Sequence, residues 1–263
     1  MQFEYICYKK KDMDKIYRVR KFNNNTLEEI KNNYLWCSLR SGFKDKYDAN
    51  IGAFISNTPA LLKGLKLKFD KEYISKLIEN MNKVGICCFT RELPSQDTIS
   101  HFPNGKSNCV CIEYDKKSIE DHLLNHSQYT ISKVFHDVIY ACRPTQIDQH
   151  GDYQVLIDQD DNGKQYESVL SICNDIKDFD NLIRLLLTRI NINFNKQKES
   201  RIIVGGPNFK FLETDAFGYK IDIPPTSITA IYLYSEPKDD SEKKFISELY
   251  ANSEIKPLLR KLY

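Results

Sequence analysis

Short runs in which hydrophobic and polar residues alternate recur along the first half of the chain, and this two-residue period is typical of half-buried strands. Near-alternation predicts strands over residues 2–8 and 16–22, and the segment YLWCS predicts another over 34–38. Continuous apolar runs predict buried strands over 84–90 and 108–114. These segments are predicted to form the first strands of a sheet.

The second half of the chain continues this pattern, with Gly and Pro residues between the runs. Two of the runs flank Asn162 and Gly163, a dipeptide that is typical of tight hairpin turns. The strands predicted in this half are 133–141, 153–158, 164–169, 201–206, 209–213, 218–223 and 227–234.

Apolar residues at helical spacing predict helices between these strands. The first is predicted to begin at a capping box of Thr26 and Glu29, because the hydroxyl and the carboxylate of such a box bond the free N–H groups of the first turn. The predicted helices are 26–33, 71–82, 118–125, 175–190 and 241–252.

Strands and helices in this order predict an α+β fold, in which a central, largely antiparallel or mixed sheet is flanked by helices. The chain of 263 residues, 41% of them hydrophobic, is long enough to bury one sizeable core. We therefore expect a single domain over residues 1–263, with elaborations on that core.

The charge balance argues against a general affinity for polyanions. The 38 Lys and Arg residues nearly cancel the 36 Asp and Glu residues, so there is no strong nucleic-acid signal. No segment has the apolar length of a signal sequence or of a membrane span. We expect a cytoplasmic protein without membrane contact, whose 8 cysteines are reduced and pack as small hydrophobic residues.

One pattern matches a metal-binding motif in part. Asp158, Asp160 and Asn162 fit the start of a calcium loop, but Val169 stands where the loop requires a bidentate Glu. The sequence therefore predicts a polar hairpin turn here and no metal site.

Three polar groups stand out on the predicted strands. Arg18 and Arg20 lie two residues apart, so their guanidinium groups share one face and are either solvated or directed at an anion. Thr90 ends a buried strand, and Glu199 and Arg201 share one face at the start of another. For each group the alternative is a solvated surface position or an ion pair worth at most about 1 kcal/mol.

The stretch SLRSGFKDKYD, residues 38–48, is rich in charged and aromatic residues. It contains a Ser-Gly turn signal, followed by the carboxylates of Asp45 and Asp48. Phe43 and Tyr47 are expected to anchor this segment against the sheet. We therefore expect an ordered loop at the edge of a polar pocket.

The order of these groups along the chain resembles that of the bacterial domain-of-unknown-function family 2971. The matching positions are Tyr17, Arg18, Phe43, Asp45, Tyr47, Asp48, Phe89, Thr90, His101, Phe102, Glu199 and Arg201, and the resemblance covers about residues 16–263. The positions that depart from the family pattern are Lys44, Lys46, Ile99, Gln197 and Ser200. The chain therefore resembles a divergent member.

The order Arg, Thr, Glu within this resemblance is also similar to the layout of ADP-ribosyltransferases. By this likeness Arg18 would bind a pyrophosphate, and Thr90 would hold Arg18 or the glutamate in position. Glu199 would contact the ribose and stabilise an oxocarbenium ion as nicotinamide leaves, while Tyr47 or Phe102 would stack on the nicotinamide. The implied function is an NAD-using transferase or glycohydrolase that acts as an effector in a defence or toxin system.

Two alternatives of other classes stay open. The first is a metal-dependent phosphodiesterase or nuclease, because Asp45, Asp48 and Glu199 offer the oxygen ligands that hard cations prefer. The second is a noncatalytic module, in which a polar cluster that also includes His101 and Arg201 holds the fold or a protein partner together. The sequence leaves open whether the protein is an enzyme.

Overall fold

The structure of the chain is a computed structural model. It describes residues 15–40, 43, 79, 82–102, 104–105, 108–125, 134–141, 146–150, 153–159, 165–170, 187–205, 214–215, 217–237, 239–252 and 258–261. Its strands are β1 (Lys15–Lys21), β2 (Tyr34–Leu39), β3 (Gly85–Thr90), β4 (Cys109–Asp115), β5 (Phe135–Asp137), β6 (Ile139–Ala141), β7 (Gln146–His150), β8 (Tyr153–Gln159), β9 (Gln165–Leu170), β10 (Arg189–Asn191), β11 (Glu199–Val204), β12 (Thr214–Asp215), β13 (Gly218–Asp222), β14 (Ile228–Leu233) and β15 (Leu258–Lys261). Its α-helices are α1 (Asn24–Lys31), α2 (Lys116–Asn125) and α3 (Asp240–Asn252), and short 3-10 helices cover Ile99–His101, Ile192–Gln197 and Pro225–Ser227.

Ten of these strands form one main sheet. Its order is β12-β13-β2-β3-β1-β4-β14-β15, and β11 pairs with both β3 and β5 beside this path. Neighbouring strands are antiparallel except β14 and β15, which run parallel. The predicted α+β fold with a largely antiparallel sheet is thus confirmed.

The strand β3 is the branch point of the main sheet. One edge of β3 pairs along its whole length with β11, from Thr90 opposite Glu199 to Gly85 opposite Val204. The other edge pairs with β2 at Gly85 and Ile86 and with β1 at Thr90. β1 and β2 therefore share one edge of β3, and these two described strands have no ladder between them. We call the opening between β1 and β2 the fork.

The two faces of the main sheet are covered differently. On one face, the α-helices and alternate strand residues bury the main core, which includes Ile16, Phe89 and Ile202 from strands and Leu27 and Phe245 from helices. On the other face lies a smaller core that contains Ile99, Cys109, Cys111, Ala230, Tyr232 and Tyr234. Because successive side chains of a strand point to opposite faces, the sheet separates these two environments.

The described cysteines pack as hydrophobic residues, which confirms the prediction for this part of the chain. Cys37, Cys87, Cys109 and Cys111 are buried, Cys88 is half-buried, and all five are free thiols. Burial raises the pKa of Cys109 to about 11. The reactive thiolate form of Cys109 is therefore scarce at neutral pH.

The start of α1 corrects the predicted capping box. The helix begins at Asn24, and the side chain of Asn23 caps it by accepting a 3.1 Å hydrogen bond from the backbone N–H of Thr26. The hydroxyl of Thr26 donates instead to the carbonyl of Lys21 at 2.7 Å, and Glu29 is buried. The box prediction is wrong because other partners in the fold engage both of its side chains.

The end of the helix predicted over 175–190 is also corrected. Leu187 is helical and Thr188 lies in a turn, but Arg189–Asn191 forms β10, which pairs in parallel with β6. The ladder with β6 satisfies the backbone groups of these residues in an extended conformation. The predicted segments 2–8 and 209–213, residues 175–186, and all of 71–82 except Glu79 and Asn82 lie outside the described residues.

A separate antiparallel sheet contains β7, β8 and β9. β8 and β9 pair from Gln154 opposite Leu170 to Gln159 opposite Gln165, which confirms the predicted pair of strands, while the predicted turn at Asn162 and Gly163 lies outside the described residues. The pattern did not predict β7, whose sequence QIDQH is mostly polar. Among the residues that the structure describes, no helix combines the length and apolar character that crossing a membrane requires.

Candidate functional site

A buried carboxylate between two arginines lies at the fork. The side chain of Glu29 is 2% exposed. Its Oε1 accepts a 2.8 Å hydrogen bond from Nη2 of Arg20, and its Oε2 accepts one of 3.3 Å from Nη1 of Arg18. The shared face predicted for Arg18 and Arg20 is confirmed, and this carboxylate is what both side chains contact.

The side chain of Arg18 also crosses the fork from β1 to β2. Its Nη2 donates to the backbone carbonyl of Trp36 at 2.6 Å. Its guanidinium carbon lies 5.9 Å from the centroid of the Phe89 ring, within the range of a cation–π contact. Arg18 is therefore buried and held by partners from α1, β2 and β3.

Among the described residues, two guanidinium groups share one carboxylate here, and this leaves an excess of positive charge. The pKa of Arg20 is lowered below its ordinary value. The main cause is burial, and the second is the positive charge of Arg18. The Nε of Arg20 is buried without a hydrogen-bond partner among the described residues. An anion close to Arg20 would balance this charge.

A cleft of about 490 Å³ opens in the fork, beside Arg20. One wall comes from β1 and the first turn of α1, and it carries the cations Arg20 and Lys21. Another part of the lining comes from β2 and β13 and includes Trp36 and Lys220. We call this space the fork cleft.

The wall from β2 is aromatic because of the alternation of its strand. Leu35 and Cys37 are fully buried in the main core, so Tyr34 and Trp36 between and beside them point the other way and line the fork cleft. The Nζ of Lys220 lies 5.1 Å from the centroid of the Tyr34 ring. This wall therefore combines aromatic surface with one cation.

The ring of Trp36 packs directly on the backbone of β13. A Cβ at Gly218 would lie 2.6 Å from Cζ2 of Trp36 and 2.5 Å from the carbonyl oxygen of Cys37, so only glycine leaves room for the ring. The preceding residue, Phe217, is 73% exposed and also lines the fork cleft. Its carbonyl accepts a 2.9 Å hydrogen bond from the backbone N–H of Leu39, which fixes its backbone against β2.

A second polar group lies on the other face of the main sheet. The Oε1 of Glu199 accepts a 2.8 Å hydrogen bond from Nε of Arg201. Arg201 is fully buried, and its Nη1 donates to the carbonyl of Leu187 at 2.6 Å. Thr90 stands opposite Glu199 in the ladder, and its hydroxyl donates to the carbonyl of Glu92 at 3.1 Å. The structure thus brings Thr90, Glu199 and Arg201 together.

Gln197 links this second group to the 3-10 helix Ile99–His101. Its Nε2 donates a 2.7 Å hydrogen bond to the carbonyl of His101, whose side chain is exposed. Phe102 is half-buried and packs against the smaller core. The predicted positions 101 and 102 therefore lie beside the same face as Glu199.

The structure does not bring Arg18 together with Thr90 and Glu199. Arg18 lies on the helix-covered face with Ile16 and Phe89, whereas Thr90 and Glu199 occupy strand positions that point to the opposite face. The main sheet separates the residue predicted to bind pyrophosphate from the residue predicted to contact ribose. The predicted site residues Asp45, Tyr47 and Asp48 lie outside the described residues.

Sequence reasoning missed most residues of the fork cleft. Two of these residues have a feature that the sequence shows. Trp36 alternates with the apolar Leu35 and Cys37, so it points away from the core, and Phe217 directly precedes the glycine of a predicted strand. Glu29 was assigned to a cap, so its role as partner of two arginines was hidden. Within the described ranges, no three His, Cys, Asp or Glu side chains are grouped so that they could hold a metal ion.

Comparison with known proteins gives no relative of this chain: no family model matches it, and no curated protein or solved structure matches it. The resemblance to family 2971 stays a prediction, and function is argued from the geometry of the chain itself.

Proposed function

We propose that this protein binds an organic anion in the fork cleft. The observation that carries the proposal is the excess of positive charge around Glu29, whose single carboxylate is the ion-pair partner of both Arg18 and Arg20. Lys21 and Lys220 add two exposed cations to the same space. Phosphate or carboxylate oxygens are the groups that such a set of donors binds best.

The proposal belongs to the noncatalytic class. The two buried arginines that the sequence singled out are both bonded to partners inside the fold. Arg18 contacts Glu29 and Trp36, and Arg201 contacts Glu199. These contacts support a role for them in holding the sheet together. We expect Arg20, Lys21 and Lys220 to bind the anion in the fork cleft.

The test measures whether pyrophosphate raises the melting temperature and binds in calorimetry. We expect the double substitution Lys21→Gln with Lys220→Gln to weaken binding about tenfold, because each exposed cation contributes up to about 1 kcal/mol. Lys117→Gln is the matched control, since Lys117 is also exposed but lies on α2. Wild-type protein that does not bind pyrophosphate, or a double variant that binds as wild type does, would contradict the proposal.

A second candidate is the NAD-consuming activity implied by the resemblance. The observation that favours it is the pairing of Thr90 with Glu199 across the ladder, with the carboxylate oriented by Arg201. Incubation with NAD should then release nicotinamide, and Glu199→Gln should abolish the release. Glu92→Gln is the control, because Glu92 is a neighbouring but exposed carboxylate paired with Lys198. No nicotinamide from the wild-type protein would sink this candidate.

The metal-dependent phosphodiesterase stays a prediction, because Asp45 and Asp48 lie outside the described residues. Metal-dependent cleavage of a phosphodiester by the wild-type protein, lost in Asp48→Asn, is the result that would favour it.

A further inference from the structure

The fork cleft has a feature that a small inorganic anion would not use. Besides the cations of β1, its lining includes three aromatic residues, Tyr34, Trp36 and Phe217. Aromatic surface in a ligand site is typical of pockets that bind a ring as well as a charge. The ligand is therefore expected to have a planar apolar part in addition to its anionic group.

The aromatic part of the cleft is firmly placed. The ring of Trp36 is packed against the backbone at Gly218, and Trp36 also lines the cleft. The backbone of Phe217 is held by its hydrogen bond with Leu39, and the residue is 73% exposed. An exposed ring in the same lining as the packed Trp36 offers stacking surface to a planar ligand.

We infer that the fork cleft binds a free nucleotide, with the phosphate at Arg20 and Lys21 and the base stacked against Trp36 and Phe217. This inference rests on the proposed function and specifies its ligand class. The cleft volume of about 490 Å³ lies in the range of pockets for small organic ligands, roughly 300 to 1,000 Å³. Asn25, at the opening of α1, adds an amide of the kind that bonds base edges.

A free nucleotide fits better than a nucleic-acid strand because of the charge of the whole chain. The formal net charge is only +2, whereas proteins that bind a polynucleotide backbone carry a strong basic field. The positive charge that the cleft offers is local, and it suits one phosphate group or a short phosphate chain.

The experiment uses the only tryptophan of the chain, which is Trp36, so tryptophan fluorescence reports directly on the fork cleft. The full chain is titrated with AMP, with ribose 5-phosphate, which lacks the base, and with a single-stranded oligonucleotide. We expect AMP to quench the emission and to bind about 5- to 150-fold more tightly than ribose 5-phosphate, which corresponds to the roughly 1–3 kcal/mol that stacking a base on an aromatic ring contributes.

The outcomes separate this inference from the function on which it rests. If ribose 5-phosphate and AMP bind equally, the nucleotide inference is wrong while anion binding stands. If neither binds, the nucleotide inference is wrong, and the pyrophosphate titration decides whether anion binding stands. If the oligonucleotide binds more tightly than AMP, the inference of a free nucleotide is wrong, and the ligand is a nucleic-acid strand.

Substitution of Phe217 gives an independent test. We expect Phe217→Ser to lose most of the advantage of AMP over ribose 5-phosphate and to keep the affinity for ribose 5-phosphate itself. The control is Leu124→Ser on α2, which removes another exposed apolar side chain, 47% exposed, outside the cleft. A Phe217→Ser variant that still prefers AMP as wild type does would overturn the stacking role.

Discussion

Arg18 donates a 2.6 Å hydrogen bond from Nη2 to the backbone carbonyl of Trp36, and this bond joins two strands that have no described ladder between them. A buried carbonyl at an open strand edge needs a donor, and here a side chain supplies the donor that a neighbouring strand would otherwise provide. The same guanidinium binds Glu29. The shape of the fork therefore depends on Arg18, and so does the cleft inside it.

Removal of the carboxylate at the fork should destabilise the protein strongly. Glu29→Gln leaves the buried guanidinium of Arg18 and the largely buried one of Arg20 without their counter-ion. Breaking a buried ion pair by removing one partner costs about 3–5 kcal/mol. Denaturant unfolding measures the change, and Glu28→Gln is the control. Glu28 is exposed and bonded to Asn32, so its substitution should change the free energy of unfolding by less than about 0.5 kcal/mol.

Arg201→Met should be similarly costly, because it leaves the carboxylate of Glu199 buried without its cation. We expect a loss of about 3–5 kcal/mol in the free energy of unfolding. Arg91→Met is the comparison, since Arg91 pairs with Asp137 at the surface and such pairs contribute about 1 kcal/mol or less. Equal effects of the two substitutions would show that Arg201 is not held as the structure describes.

Gly218→Ala should displace the ring of Trp36. The added Cβ would lie 2.6 Å from that ring and 2.5 Å from the carbonyl oxygen of Cys37, and overpacking of this kind costs about 1–3 kcal/mol. Tryptophan emission should change together with the loss of stability and the loss of AMP binding. Ser100→Ala, at an exposed position of the 3-10 helix Ile99–His101 outside the lining of the cleft, is the control and should leave the emission unchanged.

Glu113 should make stability depend on pH in acid. Burial by itself raises the pKa of Glu113, but hydrogen bonds from Tyr232 and Thr229 and the ion pair with Lys15 outweigh it, so the pKa is lowered in the folded protein. Its contribution is therefore present above the unfolded pKa of about 4.3 and is lost as pH falls through the folded value.

The measurement is the free energy of unfolding of wild-type protein and Glu113→Gln at several pH values. The difference between them should be largest near neutral pH and shrink toward about pH 3. Glu120→Gln, on the half-exposed surface of α2, should show no such trend. A difference for Glu113→Gln that does not vary with pH would contradict the assignment.

The local pattern of the sequence predicted the strands well, because burial of one face imposes a two-residue period wherever a strand lies. The period does not say which strands become neighbours. Tyr17, Thr90 and Glu199 stand in one row only because β1, β3 and β11 pair in that register, and the strands lie far apart in the chain. The separation of Arg18 from Glu199 by the sheet follows from the same register.

The fork cleft was harder to predict for the same reason. Its walls combine β1, α1, β2 and β13, and each contributes residues that look solvated when the segment is considered alone. The shared face of Arg18 and Arg20 was predictable, since it needs only the strand period. Their partner Glu29 was not, because the packing of α1 on the sheet decides which way its side chain points.

The branch at β3 has a consequence for how the protein opens. β3 is paired along its whole length with β11 and near its two ends with β2 and β1, so β3 leaves the sheet only when it separates from three distant parts of the chain. Deuterium exchange along the ladder between β3 and β11 should therefore follow global unfolding, whereas the ends of α1 should exchange through local fraying. Cleavage of the chain between these strands would then release no half that is stable by itself, because each half would lose part of the same central ladder.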